Sequence, residues 1–418
     1  MFYCWIGRLM MKVVFGIDVS KSASTVCELI GESKNEFEIT NDRPGFLQLL
    51  KELHVFAIHP QIIFEATGVY SRRLQTFLED YGYDYIILNP LKAKKEMDQG
   101  LRHNKTDRND AYHLALIQKL YHHPVNQLQA EEYHQLNALS RFYDQLTSDL
   151  IMAKNRLHQA LQSTFPEIET LFSNSKGNNY WQIIKQYPHC ESILESDKEQ
   201  IVRWLLTLKG FGNKHAQKAA KKLLELAHKS YPVVENGSVE TKQARYYADR
   251  LLVLSSQRER IINQMTALAK KLPNRDLEIL ESIPGFAQTT AVRVLAELGD
   301  MRRFSNPNKI NAFIGIDPGR YQSGEMDSSL SITKHGNAVA RKILYRAIGQ
   351  IDNAAKTNPC HIADYYESKK RSSQTKGFKK IAIASIHKLI RTIYALIQND
   401  QLYDYSVATH NQKDFCRN

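Results

Sequence analysis

The sequence predicts an α/β amino-terminal domain joined to a mainly α-helical remainder, on three observations. Short apolar runs rich in β-branched residues alternate with helix-like stretches as far as about Leu88, two later segments carry apolar side chains at helical spacing, and positive charge gathers near the carboxy-terminal end. A chain of 418 residues, 43% hydrophobic and 24% charged, has room for two or three buried cores, which excludes disorder over most of it.

The opening MFYCWIGRLM is too short for a secretory signal, and Met11 begins a second start, MKVVFGIDVSK. Residues 1–11 are therefore expected to lie outside the folded unit. Residues 12–125 read as one domain: strands at VVFGIDV, STVCELI and EFEIT, a helix after Pro44, a strand at QIIFEA, a helix from Tyr70 to Tyr81, a strand at YDYIILN, and a polar helix-prone stretch to about Tyr121. Residues 126–275 read as a coiled-coil arm. Its two halves, 131–163 and 239–272, are amphipathic at helical spacing, and a small helical insertion around 175–235 separates them. Residues 276–400 form a mainly α carboxy-terminal domain, followed by a tail over 401–418.

An offset of 75 residues aligns LKGFGNKHA, from Leu208, with IPGFAQTTA, from Ile283, matching Gly210 to Gly285, Phe211 to Phe286 and Ala216 to Ala291. Each segment runs from an apolar helix through a glycine turn into a second helix, the layout of a helix-hairpin-helix. Glycine there lets a phosphate approach the main chain, and the N–H groups opening the second helix favour an anion. An ordinary helical hairpin with a glycine cap has the same pattern.

The chain carries 56 Lys and Arg against 44 Asp and Glu, a formal charge of +12. Residues 301–400 alone hold 17 against 7, so most of the excess sits in one quarter of the chain. That balance favours a polyanionic partner. The five cysteines are odd in number and form no CxxC pair, which supports neither a disulfide framework nor a cysteine zinc site and fits a reducing cytosol. His122-His123 and Cys360-His361 are adjacent pairs rather than ligand spacings. No uninterrupted apolar run reaches the roughly 18 residues of a membrane helix. No membrane partner is expected, and the location expected is cytoplasmic, with the nucleoid when the protein acts.

Asp18 ends an apolar strand, and so does Glu65. A carboxylate in such a run is costly unless paired, hydrogen-bonded or metal-bound. Asp107 and Asp110, in KTDRNDA, share one face of a helix by their i, i+3 spacing. Four converging carboxylates can hold one or two Mg²⁺, and phosphoryl transfer uses such metals to clamp the attacking and leaving oxygens. Strand–Asp, strand–Glu and helix–Asp-x-x-Asp follow one another in the order of a ribonuclease-H-like nuclease site. Taken singly, each acid also fits a turn cap or a solvated face. Lys21, Lys105 and Arg108 flank the set and either offset its repulsion, meet phosphate or face solvent.

Together GIDVSK, FEATGVY, KTDRNDA, IPGF and AFIGIDPGRYQSGEMDSSLSITKHGNAVARKILY resemble the insertion-sequence transposases that join an Asp-Glu-Asp-Asp domain to a carboxy-terminal transposase domain. Pilin-gene invertases and bridge-RNA-guided recombinases are relatives. The resemblance spans about Lys12 to Gln398. It implies an amino-terminal domain similar to the Holliday-junction resolvase RuvC, with Asp18, Glu65, Asp107 and Asp110 holding Mg²⁺. It implies also that Ser323, in the family's Ser-Gly pair, attacks DNA to form a covalent phosphoserine, with a partner subunit's carboxylate domain completing the site. Homodimers pairing into a tetramer and a guide RNA belong to the same implication.

From the residues alone, Ser323 lies in a loop rich in Gly and Asp and needs a base, a metal or a cation to become a nucleophile. Arg320, Lys334 and His335 are the neighbours in sequence, and a simple turn serine is the commoner use of a Ser-Gly pair. Ser328, Ser329 and Ser331 are local competitors. The family's Ile-Ser-Lys reads Ile332-Thr333-Lys334 here, which keeps a hydroxyl. Asn337 is expected to cap a helix on which Arg341, Lys342 and Arg346 reach phosphate. Lys379 and Lys380, with Lys369, Lys370, Arg371 and Lys376, form a basic cluster suited to a nucleic-acid backbone. Beside the transposase reading stand a metal-dependent junction nuclease in which Ser323 is incidental, and a non-catalytic nucleic-acid-binding protein.

Overall fold

Strands β1 (Val13–Val19), β2 (Ala23–Ile30) and β3 (Ser33–Thr40) form an antiparallel meander, and β4 (Gln61–Glu65) and β5 (Tyr85–Leu88) extend it in parallel on the other side of β1. The sheet order is β3-β2-β1-β4-β5. The parallel pairs need crossovers, and helices α1 (Arg43–Leu53) and α2 (Ser71–Asp80) supply them. Asp42 starts α1 by accepting the Gly45 N–H at 3.1 Å. The computed structural model describes residues 12–90, 93, 96, 107–126, 129–172, 177–323, 326–372 and 377–415, apart from the side chains of 107–108, 319–323, 326–330 and 411–415.

Alternation along β1 divides the first unit into two layers. Val13, Phe15, Ile17 and Val19 face a core completed by Phe46, Leu49, Leu74 and Leu78 of α1 and α2. Val14 faces the opposite way, into a core with Ile63, Ile86, Leu114, Ala115 and Ile117. The last three belong to α3 (Asp107–Tyr121). Gly16 permits that packing. A Cβ there would stand 2.2 Å from the Ala111 carbonyl oxygen and 2.5 Å from the Ala115 nitrogen, so α3 lies directly on the β1 backbone.

The residues from 129 onward form a second unit. Its spine is α4 (Glu131–Thr164) packed along α9 (Val239–Ala269). Arg258 lies over the Tyr143 ring, Arg250 reaches Asp149, and Arg156 lies over Tyr247, so the helices run antiparallel within one chain. Buried residues of α4 recur at Leu136, Ser140, Tyr143, Leu146, Leu150, Ala153, Leu157 and Ala160, spacings of three and four that keep one stripe on the partner helix. Between the long helices come α5 (Asn178–Gln186), α6 (Cys190–Leu194), α7 (Lys198–Leu205) and α8 (Asn213–Lys229). His189, fully buried, ties them to the following segment through the Val234 carbonyl at 2.9 Å.

After the arm follow α10 (Asp276–Glu281), α11 (Gln288–Leu298), α12 (Pro307–Ile314), the hairpin β6 (Pro318–Ser323) and β7 (Met326–Ile332), α13 (Ala338–Ala354), α14 (His361–Arg371), α15 (Phe378–Gln398) and α16 (Tyr405–Phe415). Residues 401–415, read as a tail, thus include a helix, and Tyr403 accepts the His361 N–H at 3.1 Å. Helix α15 alone among the described residues is long and apolar enough to cross a membrane, and its Ile386, Leu389, Ile390 and Ile393 are wholly buried in the core of this unit. Buried Asp276 pins the start of α10 with two 2.8 Å bonds from Arg302. The β hairpin was absent from the sequence reading, which placed Ser323 in a loop. The run RYQSGEMDSSLSI is mostly polar with a glycine in its middle, and so reads as a loop.

Replacing Gly16 by alanine forces α3 off the sheet and is expected to cost about 1–3 kcal/mol. Denaturant unfolding of Gly16→Ala checks this; an unchanged midpoint would mean that α3 does not need its close seat on β1.

Candidate active site and nucleic-acid interface

Asp18 lies two residues after Gly16 in β1 and therefore on the sheet face that carries α3. Glu65 bears the same relation to Ile63, which is buried in the α3 core. The parallel register pairs Ile17 with Phe64, so the next step sets Asp18 beside Glu65 on strands about 4.8 Å apart. Helix α3 runs opposite to β1, since Leu114 and Ile117 meet Val14 while Ala111 meets Gly16. Its first turn, with Asp107 and Asp110, consequently falls at the Asp18 end. Asp18, Glu65 and Asp110 are half-buried. The side chains of Asp107 and Arg108, and all of Lys105, lie outside the described residues; among the described side chains no three His, Cys, Asp or Glu groups stand close enough to hold a metal ion. Lys21 is exposed just beyond β1.

In the second unit Ser323 is the last residue of β6 and pairs with Met326 across residues 324–325. It sits at the tip of the hairpin, although its side chain, like that of Arg320, lies outside the described residues. At the foot, Thr333 donates its hydroxyl to Asp317 at 2.7 Å and its N–H to the Asp317 carbonyl at 3.0 Å. His387 adds a 3.2 Å contact to the Ile316 carbonyl, and burial lowers its pKa from the ordinary histidine value. Lys334, at φ +57°, and His335 are exposed beyond the foot. Five strand steps separate Pro318 from Ser323, roughly 17 Å. The structure thus moves Lys334 and His335 away from Ser323, to which the linear sequence seemed to bring them.

Asn337 caps α13 by accepting the N–H groups of Val339 and Ala340 at 3.1 and 3.0 Å. Of the cations on that helix, Arg341 is spent on the Ile314 carbonyl at 2.6 Å, and Lys342 reaches Asp144 at 3.6 Å. Arg346 is exposed. Lys370 is answered by Glu367 at 2.6 Å and Asp352 at 3.3 Å. Lys379 and Lys380 are exposed in the first turn of α15, where the helix dipole disfavours cations. Helix stability therefore does not account for them.

The two glycine turns share their hydrogen bonds at the offset of 75. Phe211 N–H donates to Leu208 and Phe286 N–H to Ile283, Ala216 N–H to Gly212 and Ala291 N–H to Ala287. Gly210 and Gly285 have φ of +82° and +87°. Their surroundings differ. A Cβ on Gly285 would lie 2.6 Å from the Ile351 nitrogen of α13, whereas nothing stands within 4 Å of one on Gly210. Gly285 is thus required by helix packing on its side-chain direction. Sequence reasoning missed Tyr143, Arg258, Thr290 and Arg293, which gather with Lys342 and Arg346 in one cleft.

Residues 15–166 match the family model of Asp-Glu-Asp-Asp transposases of the IS110 type, and residues 277–367 match that of the IS116/IS110/IS902 transposases, together more than half of the chain. The transposase for insertion sequence element IS1111A of Coxiella burnetii is 28% identical over 144 residues, 34% of this chain and 37% of that protein. The pilin gene-inverting protein of Moraxella bovis is 22% identical over 401 residues, 94% of this chain and 98% of that protein. The 44.8 kDa protein of insertion element IS116 from Streptomyces clavuligerus is 21% identical over 94% of this chain and 96% of that protein.

Thr333→Val removes a hydrogen bond at the hairpin foot, expected to cost about 0.5–1.5 kcal/mol locally. Amide hydrogen exchange across 318–332 should accelerate in Thr333→Val and stay unchanged in Thr333→Ser; equal exchange in both variants would rule out this role.

Proposed function

Because the chain belongs to the IS116/IS110/IS902 family of transposases, we propose that it cuts and rejoins DNA, with Ser323 as nucleophile and a ribonuclease-H-like carboxylate domain as its partner site. The observation that carries the reading is the placement of Asp18, Glu65 and the first turn of α3 at one end of one sheet face. Nothing in a hydrophobic sandwich asks for carboxylates from three separate elements there.

The donor set suits Mg²⁺. Asp18, Glu65, Asp107 and Asp110 offer hard oxygens without Cys or His. Bound there, the ion would polarise a phosphodiester oxygen and offset negative charge as it develops. Asp18 and Glu65 are fixed by paired strands and need little rearrangement to serve, while α3 brings two acids on a rigid element.

Ser323 forms a bond from Oγ to phosphorus as a sugar oxygen departs with the electron pair. The serine proton leaves Oγ, and one passes to the departing oxygen, so a phosphodiester is exchanged rather than consumed. A later attack by a sugar hydroxyl reverses the step and frees the serine. Lys334 and His335 are a strand length from the hairpin tip, so the proton acceptor comes from another element. A carboxylate domain of a partner subunit supplies it in this reading, with Ser323 delivered on the hairpin. Homodimers pairing into a tetramer provide the two or more sites that strand exchange needs, and a guide RNA is a further ligand for the exposed Lys379 and Lys380.

Incubated with its element's end sequences and Mg²⁺, the protein should form a covalent protein–DNA adduct. Ser323→Ala should form none, Asp18→Asn should lose about a hundredfold or more of the cleavage rate, and chelation of the metal should abolish it. Normal cutting by Ser323→Ala, with no adduct in the unmodified protein, would instead select hydrolysis by a junction nuclease.

A further inference from the structure

Four cations from three helices line a cleft of about 150 Å³ in the second unit: Arg258 of α9, Arg293 of α11, and Lys342 and Arg346 of α13. Tyr143 of α4 forms its wall, with Arg258 and Arg293 lying 4.7 and 4.6 Å from its ring centre. Arg258 also donates to the Tyr143 hydroxyl at 2.5 Å. One carboxylate, Asp144, stands nearby, 2.8 Å from Arg293 and 3.6 Å from Lys342. Four positive groups against one negative leave the cleft with a local surplus.

That arrangement is costly for the protein alone. The Arg293 side chain is 8% exposed, and the buried Nε atoms of both Arg293 and Arg258 have no hydrogen-bond partner. Buried guanidinium donors without acceptors, crowded among like charges, lose free energy that an anion would restore. The cleft also receives Thr289 and Thr290 from the first turn of α11, a helix whose start at Ala287 has no side-chain cap. The partial positive charge of that terminus acts in the same direction as the four side chains.

We propose that this cleft binds one phosphate group, and that in the working protein the group is a backbone phosphate of the DNA substrate. The second half rests on the DNA reading above; the first half does not. Its volume suits a tetrahedral oxyanion and is well below the roughly 300–1,000 Å³ of pockets that take whole small molecules. Guanidinium forks match phosphate oxygens, and the Thr289 hydroxyl adds a neutral donor beside them, that of Thr290 being donated to Gln350 at 2.9 Å. A phosphate seated there joins Arg258 of the arm to Lys342 and Arg346 of the helix that follows the Ser323 hairpin. Binding of backbone by the arm and presentation of the serine then become one mechanical event.

The full-length protein tests this with two probes, inorganic phosphate and a duplex oligonucleotide, against Arg258→Gln and Arg346→Gln, with Lys221→Gln outside the cleft as control. Arg346 is exposed, so its replacement leaves the fold intact. Phosphate in the millimolar range should raise the melting temperature of the unmodified protein and of Lys221→Gln, and do so less in both cleft variants. Duplex affinity should fall about tenfold in each cleft variant, and the slope of log Kd against log salt should flatten by about one. Phosphate stabilisation that depends on the cleft, with duplex affinity unchanged, would keep the phosphate site and overturn its assignment to DNA. Equal responses of all four proteins to both probes would overturn the site itself. An unmodified protein that binds no duplex, yet is stabilised by phosphate through Arg258 and Arg346, would sink the DNA reading and leave the phosphate site standing.

Discussion

A carboxylate loses several kcal/mol when it leaves water unless donors replace the lost hydration, and Glu297, with a side chain 0% exposed, shows how this protein meets that requirement. Ser140 donates to it at 2.8 Å, Arg141 at 2.8 Å and Asn337 at 2.8 Å. The first two come from the arm helix α4, and the third is the cap of α13. Three helices distant in sequence are therefore fastened at one group. One turn further along, Asp144 of α4 meets Arg293 of α11 with the charges reversed. Two rungs of opposite polarity set the register of α4 against α11, because a slip by one turn would put like charges together. Since α13 begins at Asn337 and the hairpin ends just before it, the same node fixes where the foot of the Ser323 hairpin stands.

The first unit depends on a different constraint, the close seat of α3 on Gly16. A side chain at that position would lift the helix from β1. With the seat in place, alternation on β1 and β4 dictates the rest. Odd-numbered residues of β1 fill one core, Val14 and Gly16 take the helix, and Asp18 emerges on the helix face just past the point where packing ends. The carboxylates stand where the apolar layer stops, half in water. Standing there, they avoid the full desolvation cost that a buried carboxylate carries.

Much of this was legible in the residues. The strands VVFGIDV and QIIFE announce themselves by β-branched apolar runs, and an acid at the end of each stands out because so little else in them is polar. The arm was legible from spacings of three and four. The hairpin was not, because its strands are mostly Arg, Gln, Asp and Ser, with only Tyr321, Met326, Leu330 and Ile332 apolar, and gain their order from backbone pairing and from the Asp317–Thr333 bond at the foot. Nor was the cationic cleft legible. Arg346 was expected to reach phosphate from its own helix, Arg258 and Arg293 carry no local signal, and only the antiparallel arm and the Glu297 node bring the three within reach of one another. Convergence across three helices is a property of register, which no local pattern records.

The repeated glycine turns separate what a sequence motif fixes from what its surroundings decide. Both copies need φ near +85°, and both make the same backbone bonds, so the repeat is a genuine repeat of local structure. At Gly210 that conformational demand is the whole requirement, because space is open on the side-chain direction. At Gly285 the missing Cβ also admits the backbone of α13, which carries Lys342 and Arg346, and the second helix of the turn opens into the cationic cleft. The glycine there sets the approach of the helix that bears Lys342 and Arg346, so one motif position serves a turn in the first copy and a turn and a helix seat in the second.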